Sequence, residues 1–422
     1  MPAGAAMSDP SDYCRGPRVL RLHGGVQHYA WGSTDFIPDL IGEPNPDGEP
    51  CAELWLGAHP DRPAEVDLGA ARVGLDRLVA ACPERLLGEQ TALRYGELPY
   101  LLKVLSAAVP LSIQAHPDRA QAEAGYAREE ASGIPLSAPH RNYKDMNHKP
   151  EALVALTEFY ALRGFRPLEE IAALAGEVPE FAPLLAEFEA TPAGLQALYR
   201  RLMTAEQGVV DAALAPLLRR LRHEAPADPS ERGYWTLEAD RRFSRDGHHD
   251  RGLFSVWLLN LMRLAPGEGI YLPAGNLHAY LRGTGMELMA NSNNVLRGGL
   301  TPKHVDVDEL LDVVTFRGGA PAVLRPEVRG PESVYRTPAE EFELRRIELP
   351  AGGEWHSGPE HGADILIVTA ADADLVLESA GTLLGLARGE SVFAPAAVPY
   401  SLRTESPATV FRATVPDALS PG

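Results

Sequence analysis

Apolar and polar positions along the chain follow two different periods, and the change between them divides it. From residue 18 to 118 short apolar runs alternate with Gly and Pro turns, a β-rich pattern with some helix around ALRYGEL. LPYLLKVL is almost wholly apolar and reads as a strand running through an interior. Residues 119–142 are rich in Ala and Glu and then loop-like, after which NYKDMNHKPEALVALTEFYALRGFRP returns to strand spacing at Val154, Leu156 and Phe159. Beyond 166 the period becomes helical. LQALYRRLM puts Leu195, Leu198, Tyr199, Leu202 and Met203 on one face, and Val210, Leu214, Leu217, Leu218 and Leu221 form a second. Between them TAEQ offers a capping box at Thr204–Gln207. DPSERG and SRDGHHDRG close this module, and FSVWLLNLMRL predicts one more apolar helix before strands resume.

The last third contains an internal echo. PGEGIYLPAGNLHAYL from Pro266 and RGESVFAPAAVPYSL from Arg388 share Gly-Glu, a β-branched residue, an aromatic and Pro-Ala at matching places. The separation is too long for a solenoid and predicts two related β-barrels or sandwiches in tandem. Overlaid, the copies set Tyr400 against His278, so one barrel has an imidazole there and the other does not.

Length and charge narrow the class. A chain of 422 residues needs no covalent staples for a large core, and the net charge of −19 disfavours a nucleic-acid partner. No apolar window is long enough for a membrane span. Cys14, Cys51 and Cys82 are few, odd in number and without ligand spacing, which suits a reduced, cytoplasmic compartment and argues against disulfides. Residues 1–17 lack the basic start and apolar stretch of a signal peptide and read as a mobile tail. A monomer is expected, with a dimer as the alternative.

Candidate chemistry gathers in a few stretches. In PLSIQAHPD, strand alternation turns Ser112, Gln114 and His116 to one side. With Glu151 of NHKPEALVAL and His278, they supply two imidazoles, a carboxylate and an amide, an N/O set suited to Zn²⁺ and usable by other divalent metals. Arg297 stands before two glycines that let backbone pass close to a ligand, and Lys303 follows. With Lys103, Lys149 and Ser112 these could form the locally basic pocket an anion would need. Glu287 is either a polar core residue or an acid–base group. His248 and His249 face opposite ways in a loop and read as solvated surface.

PLSIQAHPD, NHKPE, LPAGNLHAYL and NVLRGGLTPK, in that order and with YAWGS, ELWLGAHP and YALRGFRP, resemble the signature set of the type I phosphomannose isomerases over roughly residues 19–422. The resemblance implies a mainly β fold: a cupin-type jelly-roll catalytic domain (18–166 and 251–325), a helical insert (167–250) and a degenerate C-terminal jelly roll without a metal site (326–422). It implies one zinc ion held by Gln114, His116, Glu151 and His278, with Arg297 catalytic. Lys149, Tyr280 and Glu287 would line the sugar site, and Ser112, Lys103 and Lys303 would hold a substrate phosphate. The implied reaction interconverts mannose 6-phosphate and fructose 6-phosphate through a cis-enediol, with His148, Lys149 and Glu287 as candidates for the proton-transfer base. One departure stands out: Asn293 occupies a position where this family usually carries Asp.

Overall fold

The computed structural model describes residues 10–69 and 71–416. Two large antiparallel sheets organise it. One runs, edge to edge, through Leu259–Leu264, Phe159–Phe165, His278–Ala290, Tyr100–Ala107, Glu53–Gly57 and Gly25–Gln27, with Glu151–Ala155 and Gly269–Leu272 paired alongside. The other contains nine strands and draws on both ends of the chain. A four-stranded sheet, with Glu354–His356 at one edge and Thr382–Leu386 at the other, completes the C-terminal half.

The apolar run read in LPYLLKVL is the strand Tyr100–Ala107, buried along its whole length between Glu53–Gly57 and His278–Ala290. His278–Ala290 is thirteen residues long and changes partners midway. Its first half pairs with Gln114–Ala115 and Phe159–Phe165, its second with Tyr100–Ala107 and Glu151–Ala155. The switch falls at an irregularity between Tyr280 and Arg282, followed by Gly283 at φ 128°. A β-carbon at Gly283 would lie 2.6 Å from the Glu158 carbonyl oxygen, so only glycine fits this corner.

The tandem echo is real in three dimensions. Gly267 and Gly389 take the same left-handed turn, at φ 87° and 86°. In each copy the following glutamate closes the turn, Glu268 accepting the Ala265 N–H and Glu390 that of Ala387. Where His278 stands in the first copy, Tyr400 in the second donates to Asp364, beside Arg412, in a fully buried cluster.

Both helical faces read from the sequence are buried as expected, on Pro192–Thr204 and Gln207–Glu224. Their leucines join Trp235, Phe254 and Trp257 in one core with the edge of the first sheet. Other expectations need correction. FSVWLLNLMRL is half helix (Leu253–Leu258) and half strand (Leu259–Leu264), because Phe159–Phe165 offers its second half a sheet edge, so the helical module runs past 250. The TAEQ capping box does not form: Thr204 closes one helix, its hydroxyl donating to the Arg200 carbonyl, and Glu206 begins the next without a side-chain cap. Residues 10–17 are not a loose tail, since Pro10–Tyr13 is a short helix with Tyr13 fully buried, while residues 1–9 lie outside the described residues. Cys14 and Cys82 form a disulfide, so the cysteines give no support to a reducing compartment. Cys51 is free and buried. The 18–166 segment is not confined to the first sheet either: Leu20–His23 pairs with Ser391–Ala394 and continues into Glu65–Leu68.

Gly283→Ala should cost about 2 kcal/mol or more, combining the disfavoured φ with the carbonyl clash. Chemical denaturation should show a lowered midpoint with an unchanged slope, and a midpoint like that of the unmodified protein would show that the corner accommodates a side chain.

Candidate metal centre and cavity

Three strands converge to build a metal-ready cluster. His116 follows the short strand Gln114–Ala115, Glu151 opens the strand Glu151–Ala155, and His278 opens His278–Ala290. Each imidazole is anchored through Nδ1 to a backbone carbonyl, His116 to Asn294 at 2.7 Å and His278 to Asn276 at 2.9 Å. A carbonyl can only accept, so Nδ1 carries the proton and Nε2 presents its lone pair. Both Nε2 atoms lie 3.4 Å from a Glu151 oxygen, the rings are 5.1 Å apart, and all three side chains are buried. The two Nε2 atoms and Glu151 Oε2 have no hydrogen-bond partner among the described residues. Three buried acceptors facing one another without donors are costly unless a cation sits between them. These residues therefore fit a divalent metal, with tautomers already fixed by carbonyls as imidazole ligands require. Burial pushes the His116 ring down to about 4, against the pull of Glu151, so it is neutral at ordinary pH. Burial opposes charge on Glu151, but Lys149, its nitrogen 3.3 Å away, helps hold the carboxyl well below the usual range. Gln114 stands next to His278 in register and faces the same cavity.

Glu151 of the cluster, with Gln114, lines a cavity of about 620 Å³, a size suited to a small ligand. Its lining carries six lysines and arginines against four carboxylates, inside a chain of net charge −19. The local basicity expected for an anion is present. Arg297, beside Gln114 in register, pairs with no carboxylate among the described residues, and burial lowers its pKa. Lys303 is lowered too, by burial and then by Arg297 and Lys144. Unneutralised cations that repel one another across a cavity wall are the electrostatic imprint of an anion site. Ser112 lies on this lining.

Not every residue singled out from the sequence stands where its suggested task needs it. Lys103 lines the cavity but is committed: its ammonium lies 3.1 Å from Glu287, 3.6 Å from Glu53 and 5.3 Å from the centre of the Trp55 ring. Burial works against its charge, yet Glu53 and Glu287 hold the ammonium well above the ordinary lysine range. This geometry counts against its holding a phosphate. Glu287 has both oxygens taken, one by Lys103 and the other by the Tyr280 hydroxyl at 2.8 Å. Burial pushes its carboxyl up while Lys103 opposes. His148 points elsewhere, its Nε2 2.6 Å from Glu341, whereas Lys149, in the same irregular stretch before the strand Glu151–Ala155, lines the cavity. That geometry counts against His148 as a base. His248 pairs with Asp211 and His249 with Asp240, and His249 is partly buried rather than solvated.

Sequence reasoning passed over several cavity residues. Glu53 and Trp55 carried a signal, since a carboxylate and an indole two residues apart in a buried strand must face the same side. Trp55 Nε1 donates to Glu53 at 2.6 Å. Asp145 braces the SNN turn by accepting from Ser292 Oγ, the Asn293 N–H and Asn294 Nδ2. Asp61, Lys144 and Arg242 also reach the lining, from loops and from the end of an inserted helix, and no local pattern marks them.

A family model for the catalytic domain of type I phosphomannose isomerase matches residues 19–168. The mannose-6-phosphate isomerase of Escherichia coli (strain K12) is 40% identical over 398 residues, covering 93% of this chain and 97% of that protein. The Homo sapiens mannose-6-phosphate isomerase is 33% identical over 430 residues, covering 94% and 98%. Among solved structures, the Salmonella typhimurium mannose 6-phosphate isomerase bound to fructose 6-phosphate and zinc superposes with a TM-score of 0.84 at 37% identity, covering 94% of this chain and 99% of that one.

His278→Ala should remove the bound metal while leaving the fold, since the side chain ends in an unpaired atom. Elemental analysis after dialysis should find about one zinc per chain in the unmodified protein and far less in the variant. Equal zinc in both would show that the cluster is not the metal site.

Proposed function

The chain belongs to the type I phosphomannose isomerases, zinc-dependent enzymes that interconvert mannose 6-phosphate and fructose 6-phosphate, and we propose how its cavity divides that reaction. The observation that carries the proposal is the set of three buried ligand atoms, unpartnered among the described residues, whose Glu151 lines a basic cavity. His116, Glu151 and His278, with the Gln114 amide, would hold the zinc. When bound, it supplies a Lewis acid for the oxygens on the two carbons that exchange oxidation state.

The remaining roles fall to the chain's own side chains. The isomerisation carries a proton between C2 and C1 through a cis-enediol, and negative charge develops on oxygen as the carbon-bound proton leaves. Arg297, half-buried and without a carboxylate partner among the described residues, is suited to stabilise that charge. Of the three proton-transfer candidates, Lys149 lies on the cavity wall, while both oxygens of Glu287 are occupied and His148 faces Glu341. We assign Lys149 to the transfer: its amine nitrogen takes the proton from one carbon and returns it to the other. Lys303 and Ser112, joined by Lys144, are suited to the phosphate, whose binding fixes the far end of the sugar so that its reacting carbons meet the metal end. Lys103 serves instead to neutralise Glu53 and Glu287 and so to keep the sugar-facing wall rigid. Tyr280 is part of that wall. A phosphorylated hexose does not cross a bilayer unaided, and no described helix is long and apolar enough to span a membrane; the substrate supports a cytoplasmic place of work.

Turnover of mannose 6-phosphate should vanish with chelator and return with Zn²⁺, and Arg297→Lys should lower kcat about a hundredfold with zinc content unchanged. Persistent turnover in fully metal-free protein would refute this assignment.

A further inference from the structure

Four carboxylates line the cavity, and three of them are spent. Glu53 accepts from the Trp55 indole and lies beside Lys103, Glu287 accepts from Lys103 and Tyr280, and Glu151 belongs to the metal cluster. Asp61 differs. It is exposed at the cavity, and among the described residues no ion pair joins it to a cation. One oxygen, Oδ2, accepts from the Asn293 amide at 2.9 Å, and Oδ1 is left to accept from a ligand. Both partners stand on braced backbone. The Asp61 N–H donates to Nδ1 of the buried His59, and the Asn293 N–H donates to Asp145 at 2.7 Å.

We infer that Asp61 is a substrate-contacting residue: a carboxylate at the cavity mouth that accepts a hydrogen bond from a sugar hydroxyl, aimed by the side-chain amide of Asn293. This rests on the isomerase reading and deepens it. The contact also accounts for the amide at 293. A carboxylate in that place would set two like charges about 3 Å apart, one of which must then take up a proton. Acid and amide form a complementary pair in which only one member is ionised. In this chain the acid stands at 61, so the missing carboxylate at 293 is not a lost function. Restoring an acid at 293 alone should therefore harm the enzyme.

The test uses zinc-loaded full-length protein, with kcat, KM, zinc content and melting temperature measured for each variant. Asp61→Asn should lower kcat/KM for mannose 6-phosphate about tenfold or more, with zinc and melting temperature unchanged. Asn293→Asp should lose activity near pH 8 and regain part of it, relative to the unmodified protein, near pH 5.5, where the pair can share a proton. The exchange D61N/N293D should return kcat/KM to within about threefold of the unmodified protein, an outcome that a merely structural role would not produce. Asp61→Asn within twofold of the unmodified enzyme, or an exchange no better than Asp61→Asn alone, would overturn the inference. Absence of zinc-dependent turnover in the unmodified protein would instead overturn the isomerase reading itself.

Discussion

Everything around the metal cluster depends on a single strand that changes partners midway. His278–Ala290 begins beside Gln114–Ala115 and finishes beside Tyr100–Ala107 and Glu151–Ala155, turning at Gly283. Because it turns, His278 at its start meets Glu151 on a strand that pairs with its far half. The same strand carries Tyr280 and Glu287, whose hydrogen bond spans the corner. The buried lone pairs of the cluster are thus imposed by backbone geometry. Two carbonyls keep the imidazoles in a tautomer that can bind a metal but cannot donate to Glu151.

Much of the fold was legible because period survives burial. The helical stripes at 195–203 and 210–221 are buried residue for residue as read. The Gly-Glu echo corresponds to two turns with the same φ and the same glutamate closure. The misreadings share a cause: competition with distant partners. Residues 253–264 have one hydrophobic character, and only the free edge of Phe159–Phe165 turns the second half into strand. Cysteine count says nothing about proximity, and Cys14 and Cys82 are 68 residues apart in sequence yet joined. Tyr13 gives no local hint of being fully buried.

The site was legible where alternation fixes direction and opaque where partnership does. Residue type marked His116, Glu151 and His278, which the fold brings together, and alternation with His116 marked Gln114, which stands beside His278 in register. Lys103 and Lys303 look alike as letters, but one is pinned between two glutamates and the other stands among cations. His148 and Lys149 are adjacent in a stretch without regular structure, yet one pairs with Glu341 and the other with Glu151. Asp61 is a surface aspartate in sequence and acquires meaning only against Asn293, 232 residues away. Such pairings are three-dimensional facts with no local trace.

The pairing of Leu20–His23 with Ser391–Ala394 also bears on how the protein is made. A ribosome releases the N-terminal strand hundreds of residues before the edge it must join exists. Until then Leu20 and Leu22, both buried in the finished molecule, lack their native cover. Assembly of the nine-stranded sheet must therefore wait until Ser391–Ala394 has emerged, so its closure depends on contacts of very long sequence separation.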